Sequence, residues 1–187
     1  MRSDHGIATN GRLRAHGANL LSAVRLAFAV AWVAVFLLSP GNRFLLGAIA
    51  VAASVSDFFD GRVARWLGTT GTVGRWLDGA ADVIFVLAVL GCEAWAGAIP
   101  AYVPMLIAAS FLQYAADSII LGDAASGPIR SRLGHWGGVI NYALAIALSF
   151  APPPQFAGAL IRSAAPILAL YYIAAMAERA MMYRRTS

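Results

Sequence analysis

The stretch SDFFDGRVARWLGTTGTVGRWLDGAAD, residues 56–82, sets four carboxylates (Asp57, Asp60, Asp78 and Asp82) among apolar neighbours. Asp57 and Asp60 are three apart and Asp78 and Asp82 four apart, so each pair shares one face of a helix. Gly68 and Gly71 punctuate the segment between them. The pattern predicts two helices joined by a short connection, hence an antiparallel pair. All four carboxylates then converge at one depth.

Outward from this stretch the chain is apolar almost everywhere. Of its 187 residues 60% are hydrophobic and 12% charged, where a soluble domain has about a quarter charged. The mean hydropathy is +0.69. Apolar runs near 20 residues predict six membrane-spanning helices over 20–39, 43–67, 73–97, 100–122, 136–151 and 155–183. Pro40-Gly41, Pro100, Gly127-Pro128 and Pro152-Pro153-Pro154 supply the other breaks. The fifth run is short and needs a turn from 133–135, and Pro166 is expected to kink the sixth. The fold class is therefore an all-α integral membrane protein, and residues 1–187 form one domain without linker or repeat.

Net charge is +5, and every basic side chain is Arg. Arg2, Arg12 and Arg14 precede the first span; Arg62, Arg65 and Arg75 surround the second connection. Arg130 and Arg132 mark the fourth connection, and Arg179, Arg184 and Arg185 the C-terminal end. The membrane is expected to be a bacterial inner membrane, and the positive-inside bias places both termini and the carboxylates on its cytoplasmic side. It also accounts for the charge without a nucleic-acid partner. The first span runs on to Pro40 without a small-residue cleavage site and so reads as a helix rather than a signal peptide. Residues 1–18 read as a polar leader or a short interfacial helix. Cys92, alone in an apolar run, reads as a buried thiol.

Four uncompensated carboxylates at such a depth would repel and be costly to desolvate. Carboxylates without His or Cys select hard ions, Mg²⁺, Mn²⁺ or Ca²⁺. Magnesium commonly shares a few carboxylates with substrate phosphates, which points to a phosphate-bearing substrate. Gly61 and Ala64 lie on the face of Asp57 and Asp60 and leave space against the backbone. Arg65 flanks that face with a forked donor for phosphate oxygens, and Gly74 clears the facing helix. Taken singly, Gly61 or Ala64 would read as helix packing, and an Asp as a partner for Arg25 or Arg65. The conjunction favours a site.

Asp57-x₂-Asp60-Gly61-x₂-Ala64-Arg65-x₈-Gly74-x₃-Asp78-x₃-Asp82 resembles the complete signature of the CDP-alcohol phosphotransferases. The six-helix plan resembles that family's membrane domain, as does NLLSAVR, residues 19–25, where Ala18 and Ser22 depart mildly from the family's Pro and Thr. The resemblance implies a transferase that displaces CMP from a CDP-linked lipid, usually CDP-diacylglycerol, with the hydroxyl of an alcohol. It assigns Asp57, Asp60, Asp78 and Asp82 to Mg²⁺ or Mn²⁺, with two ions expected, and Asp82 also to general-base catalysis. It assigns Asp57, Asp60, Gly61, Ala64, Arg65, Gly74 and Asp78 to the nucleotide and pyrophosphate. Family members are often homodimers.

The acceptor is less legible. Arg130, Arg132 and His135 are candidates to bind a phosphorylated acceptor, although loop anchoring explains the arginines equally well. Glycerol-phosphate enzymes of the family often have Gly-Lys-x-Lys-Thr where this chain reads Gly134-His135-Trp136-Gly137-Gly138. Val83 replaces the basic residue that usually follows the last Asp in glycerol- and inositol-phosphate enzymes, and FDGRVAR resembles serine enzymes. A polyol phosphate, glycerol 3-phosphate or inositol phosphate, is expected slightly ahead of serine. Asp117 reads as helix packing; Glu178 and Arg179 line the acceptor pocket or pair at a helix end. The rival to a transferase is a carboxylate-lined cation channel or transporter, which would want polar residues continued across the membrane. An inactive family member is disfavoured because every signature position is filled.

Overall fold

The computed structural model describes the backbone of residues 22–66, 72–121, 132–151 and 154–186, and side chains within 22–58, 79–117, 136–151 and 163–181. Six helices carry it: α1 (22–38), α2 (Arg43–Trp66), α3 (Thr72–Trp95), α4 (Tyr102–Leu121), α5 (Arg132–Phe150) and α6 (Pro154–Thr186). No strand occurs among the described residues. The expected spans match in number and order, with ends shifted by a few residues. Helix α5 starts at Arg132, taking up the extra turn that its short apolar run needed. Helix α6 continues unbroken past Pro166.

The breaks have identifiable chemistry. Asn42 caps α2, its side-chain oxygen accepting the Leu45 backbone N–H at 3.1 Å. Gly97, with φ of 76°, closes α3. There the Ala98 N–H bonds the Glu93 carbonyl and the Gly97 N–H bonds that of Ala94, a Schellman close that needs a left-handed residue. Pro100 follows and prevents continuation.

Among the described residues α2 packs chiefly on α5, α4 on α6, and α3 on both α4 and α5. The expected α2–α3 pairing is thus not the main seam of α2. The core is built from Trp32 and Phe36, Leu46 and Ala50, Phe85 and Val89, Val103, Leu148 and Tyr172, all buried. Trp32 Nε1 donates to Ser149 Oγ at 3.0 Å, tying α1 to α5 inside that core. Gly47 lets the Phe150 ring lie directly on α2, where a Cβ would come within 2.3 Å of it.

The outer surface is unusually apolar. Val30, Leu38, Phe44, Trp95, Met105, Leu112, Ile167 and Leu170 are each at least 66% exposed. Among the described residues, no helix is long and apolar enough to cross a membrane.

Candidate active site

Three helices bring a cation and two of the four signature carboxylates together. Arg25 of α1 is 1% exposed, and its guanidinium reaches Asp57 Oδ1 of α2 at 2.7 Å and Asp82 Oδ1 of α3 at 3.2 Å. A forked guanidinium can serve two carboxylates at once, which a point ammonium does poorly. The carboxylates are more open than the cation, with Asp57 38% and Asp82 27% exposed. The site is therefore buried on the α1 side and accessible from the other.

Helix α5 closes the arrangement. The Tyr142 hydroxyl donates to Asp82 Oδ1 at 2.8 Å. Its ring stacks on Phe85, centroids 5.9 Å apart and planes 16° apart. Phe85 is fully buried one turn after Asp82 on α3, so the ring that carries the hydroxyl is seated against the same helix. Beside it, the Tyr172 hydroxyl of α6 donates to Asn141 Oδ1.

Positions 60, 61, 64 and 65 continue the α2 helix after Asp57, and positions 74 and 78 precede Asp82 on α3. The backbone therefore keeps both pairs at helical spacing. The side chains of Asp60, Ala64, Arg65 and Asp78, and contacts at Gly61 and Gly74, lie outside the described residues, as do Arg130, Arg132 and His135. Among the described residues no three His, Cys, Asp or Glu side chains form a metal-binding group. Asp57 and Asp82 nonetheless offer only carboxylate oxygens, the donors that hard divalent ions take.

The family model for CDP-alcohol phosphatidyltransferases matches residues 15–179. The chain belongs to the CDP-alcohol phosphatidyltransferase family. That match spans the whole bundle as far as the final turns of α6. Among curated relatives, proteins of Mycobacterium bovis and Mycobacterium tuberculosis named "Putative cardiolipin synthase" are 39% identical over 71 residues. This alignment covers 38% of the chain and 34% of each relative's length.

Pattern reading of this family member located Asp57 and Asp82 and noted Arg25 as a partner for an Asp. It did not single out Tyr142. The residue closes a polar segment at the entry to a helix, and only its position one layer across from Asp82 gives it away.

Proposed function

We propose that this family member is a membrane-embedded transferase that moves a phosphatidyl group from a CDP-linked lipid, CDP-diacylglycerol, to an alcohol and releases CMP. The convergence of Asp57 and Asp82 on buried Arg25 carries the reading, because it joins both halves of the signature in one partly open site. The exposed apolar surface supports immersion in lipid. The arginine distribution supports a site facing the cytoplasm.

In the reaction the acceptor oxygen forms a bond to the phosphatidyl phosphorus. The bond from that phosphorus to the bridging pyrophosphate oxygen breaks, and CMP leaves with the electron pair. Asp82 takes the acceptor's hydroxyl proton, as a carboxylate within hydrogen-bond reach can. Asp57 and Asp82, with Asp60 and Asp78, would hold a divalent metal, Mg²⁺ or Mn²⁺, which would offset charge on the pyrophosphate. Arg65 contacts phosphate oxygens, and Gly61, Ala64 and Gly74 admit the nucleotide. Arg25 neutralises part of the carboxylate charge and fixes the spacing between α2 and α3. Arg130, Arg132 and His135 remain the candidates for a phosphorylated acceptor.

The acceptor is an alcohol. Glycerol 3-phosphate and inositol phosphate precede serine on the sequence pattern, and the mycobacterial relatives' name adds phosphatidylglycerol, whose free hydroxyl would yield cardiolipin. CMP release by purified protein in liposomes, with CDP-diacylglycerol, Mg²⁺ and each of these acceptors in turn, tests the proposal. Acceptor-dependent release that is lost in Asp82→Asn is expected. Absence of both nucleotide binding and CMP release would overturn it.

A further inference from the structure

The Tyr142 hydroxyl and the Arg25 guanidinium meet on the same carboxylate oxygen, Asp82 Oδ1, at 2.8 Å and 3.2 Å. They arrive from α5 and α1, and Asp82 itself stands on α3. A carboxylate on a helix has two side-chain torsions to lose. Two donors from different helices, converging on one oxygen, fix both the rotamer and the plane of the group. The phenol is itself held, because its ring lies on buried Phe85. Tyr142 is therefore a rigid strut on a side chain whose orientation decides where a proton can go.

We propose that Tyr142 is a positioning residue for the transfer, acting through Asp82. Its hydroxyl holds the Asp82 carboxylate in the orientation from which it takes the acceptor's proton. The inference rests on the transferase reading and on Asp82 as its base. Among the described residues the Tyr142 hydroxyl bonds Asp82 and no other signature residue, so its loss is expected chiefly in the rate of the bound complex rather than in substrate affinity.

The test is steady-state CMP release by the full-length protein in liposomes, with CDP-diacylglycerol and whichever acceptor the wild type uses. Tyr142→Phe removes one oxygen and keeps the stacked ring. A misaligned catalytic group costs up to about 100-fold, so a fall in kcat of about 10-fold or more is expected, with both KM values held within about twofold. Tyr172→Phe, which removes a neighbouring buried hydroxyl with no tie to Asp82, is expected to leave kcat within about twofold by the same criterion. An unchanged kcat in Tyr142→Phe overturns the proposal. So does a rise in KM at constant kcat, or an equal fall in Tyr172→Phe, which would mark general packing of α5. Should Tyr142→Phe fail to fold, Phe85→Leu decides: it keeps the hydroxyl but removes the stack that aims it. A lowered kcat at constant KM in that variant supports the proposal, and an unchanged kcat overturns it. A wild type that releases no CMP with any acceptor takes down the transferase reading itself, and is distinct from an active enzyme indifferent to Tyr142.

Discussion

Arg43 Nη1 and Glu93 Oε1 lie 2.5 Å apart and join the first residue of α2 to the last turns of α3. At the helical rise of 1.5 Å per residue, this pair stands about 21 Å along α2 from Asp57 and about 16 Å along α3 from Asp82. It is separate from the candidate active site. Glu93 is almost wholly buried, and Arg43 also lies 5.9 Å from the Phe36 ring centroid. Among the described residues the Arg43 Nε has no hydrogen-bond partner, so the guanidinium is incompletely satisfied.

Removing one partner of this pair should therefore harm more than removing both. Arg43→Met leaves a buried carboxylate uncompensated and is expected to destabilise the fold by about 3–5 kcal/mol. The double variant Arg43→Met/Glu93→Leu should recover most of that loss, since a well-packed apolar pair avoids the desolvation of two ions. Thermal unfolding in detergent compares the two. CMP release per folded molecule should be unchanged in both, because the pair is remote from the carboxylates.

Gly47 and Phe150 give a second, purely steric expectation. A methyl at position 47 would sit 2.3 Å from the Phe150 ring, well inside van der Waals contact. Overpacking of this kind costs about 1–3 kcal/mol. Phe150 is 44% exposed and its ring can swing outward, which puts Gly47→Ala toward the lower end of that range. Gly47→Ala combined with Phe150→Ala should be less destabilised than the sum of the single variants, as coupled neighbours are. Strict additivity in thermal unfolding would mean that the α2–α5 seam is not closed by this contact.

At the site, Arg25 holds two helices through one guanidinium. Arg25→Lys keeps the charge but loses the fork, so a single ammonium must choose between Asp57 and Asp82. Activity in CMP release is expected to fall by about 10-fold or more in Arg25→Lys, since small displacements of a catalytic group have effects of that size. Arg25→Ala should fall further and also unfold more readily, since two partly buried carboxylates then face each other without their shared cation. A fully active Arg25→Lys would show that charge alone suffices and that the fork is dispensable.

The helices were legible because apolar runs and their Pro and Gly breaks are local properties: Pro40-Gly41 and Pro100 sit where the chain turns. Asp57 and Asp82 were legible because helical spacing aligns each with a second Asp. Which helix packs on which was not legible, since pairing α2 with α5 depends on Gly47 accepting the Phe150 ring, a contact over a hundred residues long. Tyr142 was missed for the same reason. A tyrosine in an apolar helix has no local signature of what its hydroxyl reaches. Glu93 likewise carries no local sign of its partner, since Arg43 stands 50 residues away in the sequence.

Arg179 offers a last discrimination, between an acceptor-binding cation and a structural one. Its guanidinium carbon lies 4.4 Å from the Tyr114 ring centroid, so α6 rests on α4 through a cation–π contact. Gln113, the residue before Tyr114, donates to the Met176 carbonyl at 3.0 Å across the same seam. Both contacts are between helices and neither needs a ligand, which favours the structural role. Tyr114→Leu should then lower thermal stability by about 1–2 kcal/mol, the range for a partly desolvated cation–π pair. Tyr114→Phe should keep most of it, because the ring face survives. In both variants the acceptor KM should be unchanged. A raised acceptor KM in Tyr114→Leu, with stability intact, would instead place Arg179 against the acceptor and give Tyr114 the task of aiming it.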